Sequence, residues 1–414
     1  MLDQVFRDGA AVHRLRATLL GPYLDAFTAR VSQLGYAQST IRLQLWLLAG
    51  LGRWLTRTGR KVSGLGGRVT DEFIGARRRA RRLRRGDAET LRLFLAHLRA
   101  EGVIRAARPV ADRSPLGRLK SRYEEYLYKE RGLSPATGHR QWFVLRRFLC
   151  ERFGDGPLRL RDLKPHDVTQ FLLRHPPCPT PKGGQLHVSA LRSFLRFLFQ
   201  QEDTDRDLSA VVPLVRRWRL VDVPKHLTAA EVERLLGSCD RTSPVGRRNY
   251  AVLLLLARLG LRAGEVVHLE LGDLDWRSGE LMVRGKGLVH DRLPLPRDVG
   301  TALAAYLRTD RPRCPTRRVF LRMKAPHRGF HHPSTVSTIV RRALERAGLT
   351  PPIKGAHLLR HSLATDLLSH GASLADIGEV LRHRVPSTTE IYAKVDLNGL
   401  RPLARPWPML GGER

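Results

Sequence analysis

The chain has 414 residues, 42% of them hydrophobic, which suits two or three packed domains. Its 73 lysine and arginine residues outnumber 39 acidic residues and give a formal net charge of +34, so we expect a polyanionic partner such as nucleic acid. The sequence lacks a run of about 18 apolar residues, and its four cysteines lack the paired spacing of a disulfide framework or zinc site, so we expect a cytoplasmic protein with reduced thiols.

The N-terminal half contains one pattern twice. The sequence GYAQSTIRLQLWLLAGL begins at Gly35, and GLSPATGHRQWFVLRRF begins 97 residues later at Gly132. A second pair follows in the same order, LRLFLAHL from Leu91 and LRSFLRFL from Leu191. Amphipathic helices can resemble one another by chance, but the shared order and spacing favour a duplication. We therefore predict two similar helical units, residues 1 to 110 and residues 114 to 206.

The rest of the chain predicts a linker, a different domain and a tail. Residues 207 to 226 contain prolines that interrupt helical periodicity and arginines suited to a linker along DNA. Thr228 and Glu231 form a capping-box pattern that begins a helix, and GELMVRGKGLVHDRLPLP predicts two strands around a Gly-Lys-Gly turn. The predicted fold class is α+β: mainly α, with a small β-sheet in a domain of residues 227 to 396, before a tail of residues 397 to 414.

Three motifs stand in order in the C-terminal half. They are ARLGLRAGEVVHLELGDLDW, the RGKG turn, and HLLRHSLATDLLSHGASLADIGEVLRHRVPSTTEIYAKV. Over residues 225 to 396 they resemble the tyrosine recombinase family, which includes Xer recombinases and phage or transposon integrases. The resemblance implies helical N-terminal DNA-binding domains, a tyrosine-recombinase catalytic fold, and site-specific recombination of double-stranded DNA.

The resemblance carries over a set of reactive residues, position by position. Six catalytic positions and one supporting acid are filled: Arg262, Glu265 (the supporting acid), Lys286, His357, Arg360, His383 and Tyr392 (the nucleophile). Taken singly, a turn lysine or a helix-end arginine is usually structural. Taken jointly, at intervals that match the family, these residues favour a functional site.

These residue types suit a phosphodiester attacked by an oxygen nucleophile. The attack builds negative charge on the non-bridging oxygens, which Arg262 and Arg360 can stabilise with guanidinium hydrogen bonds. An unperturbed tyrosine has a pKa of about 10, so Tyr392 needs a proton acceptor or a cationic pocket, and either His357 or His383 could assist. By the resemblance, Lys286 is the general acid for the departing 5′-oxygen. A 3′-phosphotyrosyl link keeps the bond energy, so we expect neither ATP nor a metal ion.

Three alternatives stay open at this stage. A type IB topoisomerase shares the tyrosine chemistry but relaxes one duplex, and the sequences of the motifs here are closer to those of integrases. A regulatory DNA-binding protein could keep the fold without cleaving, although the catalytic positions are all filled. His357 and His361 have the H-x-x-x-H spacing of a zinc site, but Leu358 stands where a zinc protease has glutamate.

The resemblance also implies an assembly and a biological setting. Four protomers, identical or from two different recombinases, would assemble on two recombination sites and exchange strands through a four-way junction. The additional N-terminal unit favours a role in integration or transposition of a mobile element.

Two positions depart from the family pattern. Arg382 stands where most relatives have glycine, directly before the later histidine, so we expect an altered end to the helix that precedes His383. Gly264 stands where relatives usually have serine, which is a smaller change.

Overall fold

Two compact units make up the chain in the computed structural model: Met1–Ala107 together with Asp222–Arg414, and Arg108–Val221. The structure describes residues 1–106, 112, 114–154, 156–175, 181–213, 223–285 and 290–395, with the backbone alone for 181–184. Helices dominate both units, and a small antiparallel sheet lies in the first, which confirms the predicted fold class. In this described part of the chain, no helix is long and apolar enough to cross a membrane.

Helices of 4 to 20 residues form the N-terminal part of the first unit. They are α1 (Leu2–Val5), α2 (Gly9–Arg16), α3 (Gly21–Gln33), α4 (Gln38–Arg57), α5 (Gly67–Arg79) and α6 (Asp87–Ala100). Apolar residues three and four positions apart place one face of α4 in the core, where Leu45, Leu48 and Leu55 are fully buried. All six helices contribute buried residues to this core, which extends along the chain from Leu2 to Ile104.

The second unit contains the other copy of the repeated pattern. Its helices are α7 (Pro115–Glu125, continued by a π-helical turn Tyr126–Glu130), α8 (Pro135–Phe153), α9 (Pro165–Arg174) and α10 (Pro181–Gln200). Gly35 and Gly132 both adopt left-handed φ values, +80° and +59°, three residues before α4 and α8 begin. The aromatic position differs: Trp46 packs edge-on against Phe6, whereas its counterpart Phe143 is 77% exposed. The two copies therefore share the turn and the helix but not this contact.

The C-terminal part of the first unit combines helices with the sheet. Its helices are α11 (Ala229–Gly237), α12 (Pro244–Arg258), α13 (Ala263–His268), α14 (Arg297–Ala305), α15 (Ser334–Arg346), α16 (Ala356–Ser369) and α17 (Leu374–Val380). The predicted capping box of Thr228 and Glu231 is present at the start of α11. Three strands, β1 (Leu274–Asp275), β2 (Glu280–Arg284) and β3 (His290–Pro294), pair antiparallel in that order. Strands β2 and β3 are the predicted hairpin, and the turn with Lys286 lies outside the described residues.

Helix α12 is the centre of this part of the unit. It packs against α11, α14, α15 and α16, and its segment Val252–Leu256 is buried throughout. A helix surrounded by other elements is apolar on all sides, which explains the unbroken apolar run in the sequence. Beyond α12 the chain turns at Gly260, whose φ of +56° lies in the left-handed region, and it then begins α13.

We expect Gly260→Ala to destabilise the protein by about 2 kcal/mol, since a non-glycine residue in left-handed backbone costs roughly 1–2 kcal/mol. A Cβ at this position would also lie 2.7 Å from Leu381 Cδ2 and 3.1 Å from Leu363 Cδ2. The matched control is Gly264→Ala, because that glycine lies inside α13 with no atom within 4 Å of an added Cβ. Urea denaturation should show a loss for Gly260→Ala and an unchanged or raised midpoint for Gly264→Ala; equal midpoints would contradict the conformational argument.

Candidate active site

The predicted reactive residues that the structure describes fall on four segments of the first unit. Arg262 lies directly before α13, and Arg360 lies within α16 beside His357 and His361. His383 follows the end of α17. Tyr392 lies in a 3-10 turn, Glu390–Val395, whose residues pack against α16 and α17.

Arg262 is fixed by Glu265 one turn further along the chain. The backbone N–H of Arg262 donates to Glu265 Oε2 at 2.8 Å, and its Nη1 donates to Oε1 at 2.7 Å. Burial opposes ionisation of Glu265, but the backbone hydrogen bond from Arg262 and the charges of Arg382 and Arg262 outweigh it, so its pKa is lowered. The carboxylate therefore stays charged, and the Arg262 guanidinium, 40% exposed, is held at the surface of the site.

Arg360 is a buried cation that connects two turns of the chain through hydrogen bonds. Its guanidinium donates through Nη1 to the carbonyl of Gly260 and through Nη2 to the carbonyl of Leu381. Burial, together with the nearby charges of Arg262 and Arg382, lowers the pKa of Arg360 to about 10. A positive charge in such surroundings is stabilised by an incoming anion.

Tyr392 lies inside the same cluster, and its hydroxyl is within hydrogen-bond distance of a histidine. The side chain is 1% exposed, and the hydroxyl lies 2.9 Å from His361 Nδ1. Burial raises the pKa of Tyr392 to about 12, and the charge of Arg360 opposes this rise. The phenol is therefore protonated at neutral pH, and it needs a proton acceptor before it can act as a nucleophile.

The ring of His383 lies parallel to the ring of Tyr392. The two ring centroids are 6.5 Å apart, and His383 Nδ1 lies 2.7 Å from Thr389 Oγ1. Burial, followed by the charges of Arg360 and Arg262, lowers the pKa of His383 to about 4. His383 is consequently neutral near pH 7 and contributes packing and hydrogen bonding rather than charge.

The histidines of α16 lie one turn apart on one helix face. The ring of His357 is 6.4 Å from that of His361, and the ring of His361 is 5.7 Å from that of Tyr392. Sequence reasoning considered His357 and His383 as helpers of Tyr392 and weighed His361 only as half of a metal-spaced pair. Among the described residues, no group of three His, Cys, Asp or Glu side chains is placed to hold a metal ion.

Arg382 adopts a backbone conformation that favours glycine. Its φ is +55°, which costs a non-glycine residue roughly 1–2 kcal/mol. The side chain folds back into the site, where Nη2 donates to Glu265 Oε2 at 2.9 Å. The carbonyl of Arg382 in turn accepts a hydrogen bond of 3.2 Å from Arg262 Nη2. The residue at this helix end is therefore left-handed and joins the hydrogen-bond network of Arg262 and Glu265, and the expected difference from relatives stays a prediction.

Arg262, Arg360, His383 and Tyr392 thus come together as the sequence motifs imply, with Glu265 beneath Arg262. Lys286 cannot be placed, because it lies outside the described residues. Arg262, Asp291, Arg382 and His383 line an open cavity of about 590 Å³ beside the cluster. In such an arrangement, a tyrosine hydroxyl can attack a bound phosphodiester, and the neighbouring guanidiniums can stabilise the negative charge that develops.

Comparison with known proteins places this site in a family. Residues 225–398 match the phage integrase family. A Sinorhizobium fredii protein named as an integrase/recombinase, y4rA, is 44% identical over 93% of this chain and 94% of its own length. The tyrosine recombinase XerD of Mycobacterium tuberculosis is 33% identical over 67% of this chain and 93% of its own length.

Solved structures agree on the fold. A XerH site-specific recombinase bound to difH substrate superposes with a TM-score of 0.52 at 20% identity, covering 69% of this chain and 83% of that one. A lambda integrase fragment bound to a core site gives a TM-score of 0.51 at 18% identity, covering 72% of this chain and 99% of the fragment. The fold and the relatives together define a DNA strand-exchange enzyme. The chain belongs to the phage integrase family and is a tyrosine recombinase.

Proposed function

We propose that this protein cleaves and rejoins double-stranded DNA through a 3′-phosphotyrosyl intermediate on Tyr392. The observation that carries the proposal is the position of the Tyr392 hydroxyl, 2.9 Å from His361 Nδ1, with the charge of Arg360 nearby and the ring of His383 parallel to its own. A tyrosine with a purely structural role would not need a buried arginine and two histidines around it.

The proposed chemistry conserves atoms and electrons. The Tyr392 oxygen forms a bond to phosphorus while the bond from phosphorus to the 5′-oxygen breaks, and no redox change occurs. The phenol proton passes to His361, and the 5′-oxygen takes a proton from a general acid, for which Lys286 is the family's counterpart. Arg262 and Arg360 stabilise the charge on the non-bridging oxygens. A 5′-hydroxyl from another strand then reverses the attack and releases Tyr392.

The DNA partner and assembly are part of the same proposal. The XerH and lambda integrase structures are named as complexes with recombination-site DNA, and the net charge of +34 of this chain suits a duplex. We propose that four protomers act on two sites, and that the element recombined is a mobile one. In this arrangement residues 1 to 110 and 114 to 206 form separate helical DNA-binding domains, joined by residues 207 to 226 to the catalytic domain, residues 227 to 396.

The test is recovery of covalent protein–DNA adducts from bacterial cells that carry the native element, followed by sequencing of the attached DNA. Adducts concentrated at one sequence would support site-specific recombination and would also provide the recognition site. Adducts spread without sequence preference would favour relaxation of a single duplex by a topoisomerase. Tight DNA binding without any adduct would favour a regulator that does not cleave.

The role of His361 predicts a change in pH dependence. We expect His361→Phe to slow strand cleavage by about 10²-fold at pH 7, because general base catalysis typically contributes about 10²–10⁴-fold. Below the Tyr392 pKa of about 12, the remaining rate should rise tenfold per pH unit with the phenolate fraction. Single-turnover cleavage between pH 7 and 9 measures this slope.

The matched control is His370→Phe at the end of the same helix. His370 is exposed, and its Nδ1 contacts the carbonyl of Asp366 at 2.8 Å, away from Tyr392. Its pH profile should match that of the unmodified protein. If the cleavage rate of His361→Phe depended on pH as that of the wild type does, the Tyr392 proton would have to pass to another acceptor.

A further inference from the structure

Three arginines converge where the catalytic scheme uses two. Arg382 is 7% exposed and donates to Oε2 of Glu265, while Arg262 donates to Oε1 of the same carboxylate. Arg360 lies against the same chain segment, since its Nη2 donates to the carbonyl of Leu381. One carboxylate therefore anchors two guanidiniums beside a third.

The charges at this point do not cancel. Among the described residues, Glu265 is the carboxylate hydrogen-bonded to Arg262 and Arg382, whereas Arg360 donates to backbone carbonyls. Asp291 approaches Arg382 Nε only to 4.0 Å, and its side chain is 36% exposed, so water screens much of its effect. Four arginines face three acids in the cluster and the adjoining cavity: Arg262, Arg360, Arg382 and Arg384 against Glu265, Asp291 and Glu379. The sum is a net positive charge, which a phosphate would balance.

Arg382 also has a hydrogen-bond donor without an acceptor. Its Nε is buried and has no hydrogen-bond partner in the described structure. The same side chain lines the 590 Å³ cavity together with Arg262 and His383. Buried donors are nearly always satisfied, so an unpaired guanidinium N–H beside a cavity indicates that a ligand completes it.

We propose that Arg382 is a third phosphate-binding arginine, which contacts the same DNA phosphate as Arg262 and Arg360 when the substrate is bound. This inference rests on the proposed function. In the DNA-free chain Arg382 is anchored through Glu265, and phosphate entry supplies the acceptor that its Nε lacks. Arg382 gives up no proton; it stabilises charge on the non-bridging oxygens during attack by Tyr392.

The left-handed backbone at Arg382 determines which variants can fold. Arg382→Gly removes the guanidinium and places at φ +55° a residue that adopts this conformation readily, so it should fold. Arg382→Lys keeps a positive charge without the planar fork. The matched control is Arg81→Gly, since Arg81 is exposed, also has a left-handed φ of +54°, and loses the same charge.

The assay uses the DNA sequence recovered from wild-type adducts, synthesised as a nicked duplex that makes cleavage irreversible. At saturating DNA we expect Arg382→Gly to form the covalent adduct about 10²-fold more slowly, as on loss of a preorganised donor. Arg382→Lys should lie between this variant and the wild type. Arg81 lies in the proposed N-terminal DNA-binding domain, so Arg81→Gly can weaken binding, but at saturating DNA its rate of adduct formation should match the wild type. Circular dichroism checks that each variant is folded.

A second substrate distinguishes direct contact between Arg382 and the phosphate from an indirect effect of Arg382 on the neighbouring residues. Replacing one non-bridging oxygen of the scissile phosphate with methyl removes the charge that Arg382 would stabilise. If Arg382 binds this phosphate, the rate difference between wild type and Arg382→Gly should shrink on the methylphosphonate. An unchanged difference on both substrates, or equal rates on ordinary DNA, would overturn the inference. Absence of any wild-type adduct would instead contradict the proposed function, and the role of Arg382 with it.

Discussion

Replacing Tyr392 with phenylalanine should abolish covalent attachment to DNA while leaving DNA binding intact. On the proposed mechanism, the change removes the oxygen that forms the bond to phosphorus. It keeps the ring that packs on His383, and it costs about 1 kcal/mol for the lost hydrogen bond to His361. Denaturing gel electrophoresis of a labelled nicked duplex measures the adduct, and a mobility shift measures binding.

The control for this variant is another buried tyrosine of the same unit. Tyr306 is fully buried, and its hydroxyl accepts a hydrogen bond of 3.2 Å from the backbone N–H of Leu321. Tyr306→Phe should lose a similar amount of stability and still form adducts. If Tyr392→Phe continued to attach covalently, the nucleophile would have to be another residue.

Replacing Arg360 with alanine should slow strand cleavage by about 10²–10³-fold even when DNA is saturating, since one positioned donor to a developing oxyanion contributes on this scale. The same change leaves the carbonyls of Gly260 and Leu381 without their guanidinium donors. We therefore expect a loss of stability of about 1–3 kcal/mol for each unsatisfied buried group. Single-turnover cleavage and urea denaturation, measured on one preparation, give both effects.

Arg248 separates the catalytic effect from the structural one. It is also buried, its Nη1 donates to the carbonyl of Leu321 at 2.9 Å, and burial lowers its pKa as it does for Arg360. Arg248→Ala should lose comparable stability yet cleave at the wild-type rate below its unfolding midpoint. Equal losses of cleavage in both variants would mean that Arg360 acts only through stability.

The helices and the hairpin could be predicted from sequence because their signals are local. The capping box at Thr228, the apolar run of α12 and the alternation around the Gly-Lys-Gly turn each depend on a few neighbouring residues. The grouping of Arg262, Arg360, His383 and Tyr392 could be predicted because these residues occur in an order and spacing that match a known family, and their catalytic roles stay a prediction. The boundaries of the helical N-terminal domains stay a prediction.

The histidine that meets Tyr392 could not be predicted in this way. The partner depends on where the turn Glu390–Val395 sets the hydroxyl against α16, which is a property of tertiary packing. One signal was present: His361 lies four residues after His357 and so shares its helix face. Arg382 was noticed as a substitution, but its contact with Glu265 depends on a left-handed φ that the sequence pattern does not encode.

The burial of Tyr392 has a consequence for the resting protein. On the proposed mechanism, a nucleophile that is 1% exposed and has a pKa of about 12 is latent in the DNA-free chain. Small phosphate esters in solution cannot reach the hydroxyl without displacing the turn that carries it. If Tyr392 is the nucleophile, its reactivity is available only to a ligand large enough to open this packing, as a duplex held along the protein would be. Burial would then keep the tyrosine from reacting with stray nucleotides before DNA arrives.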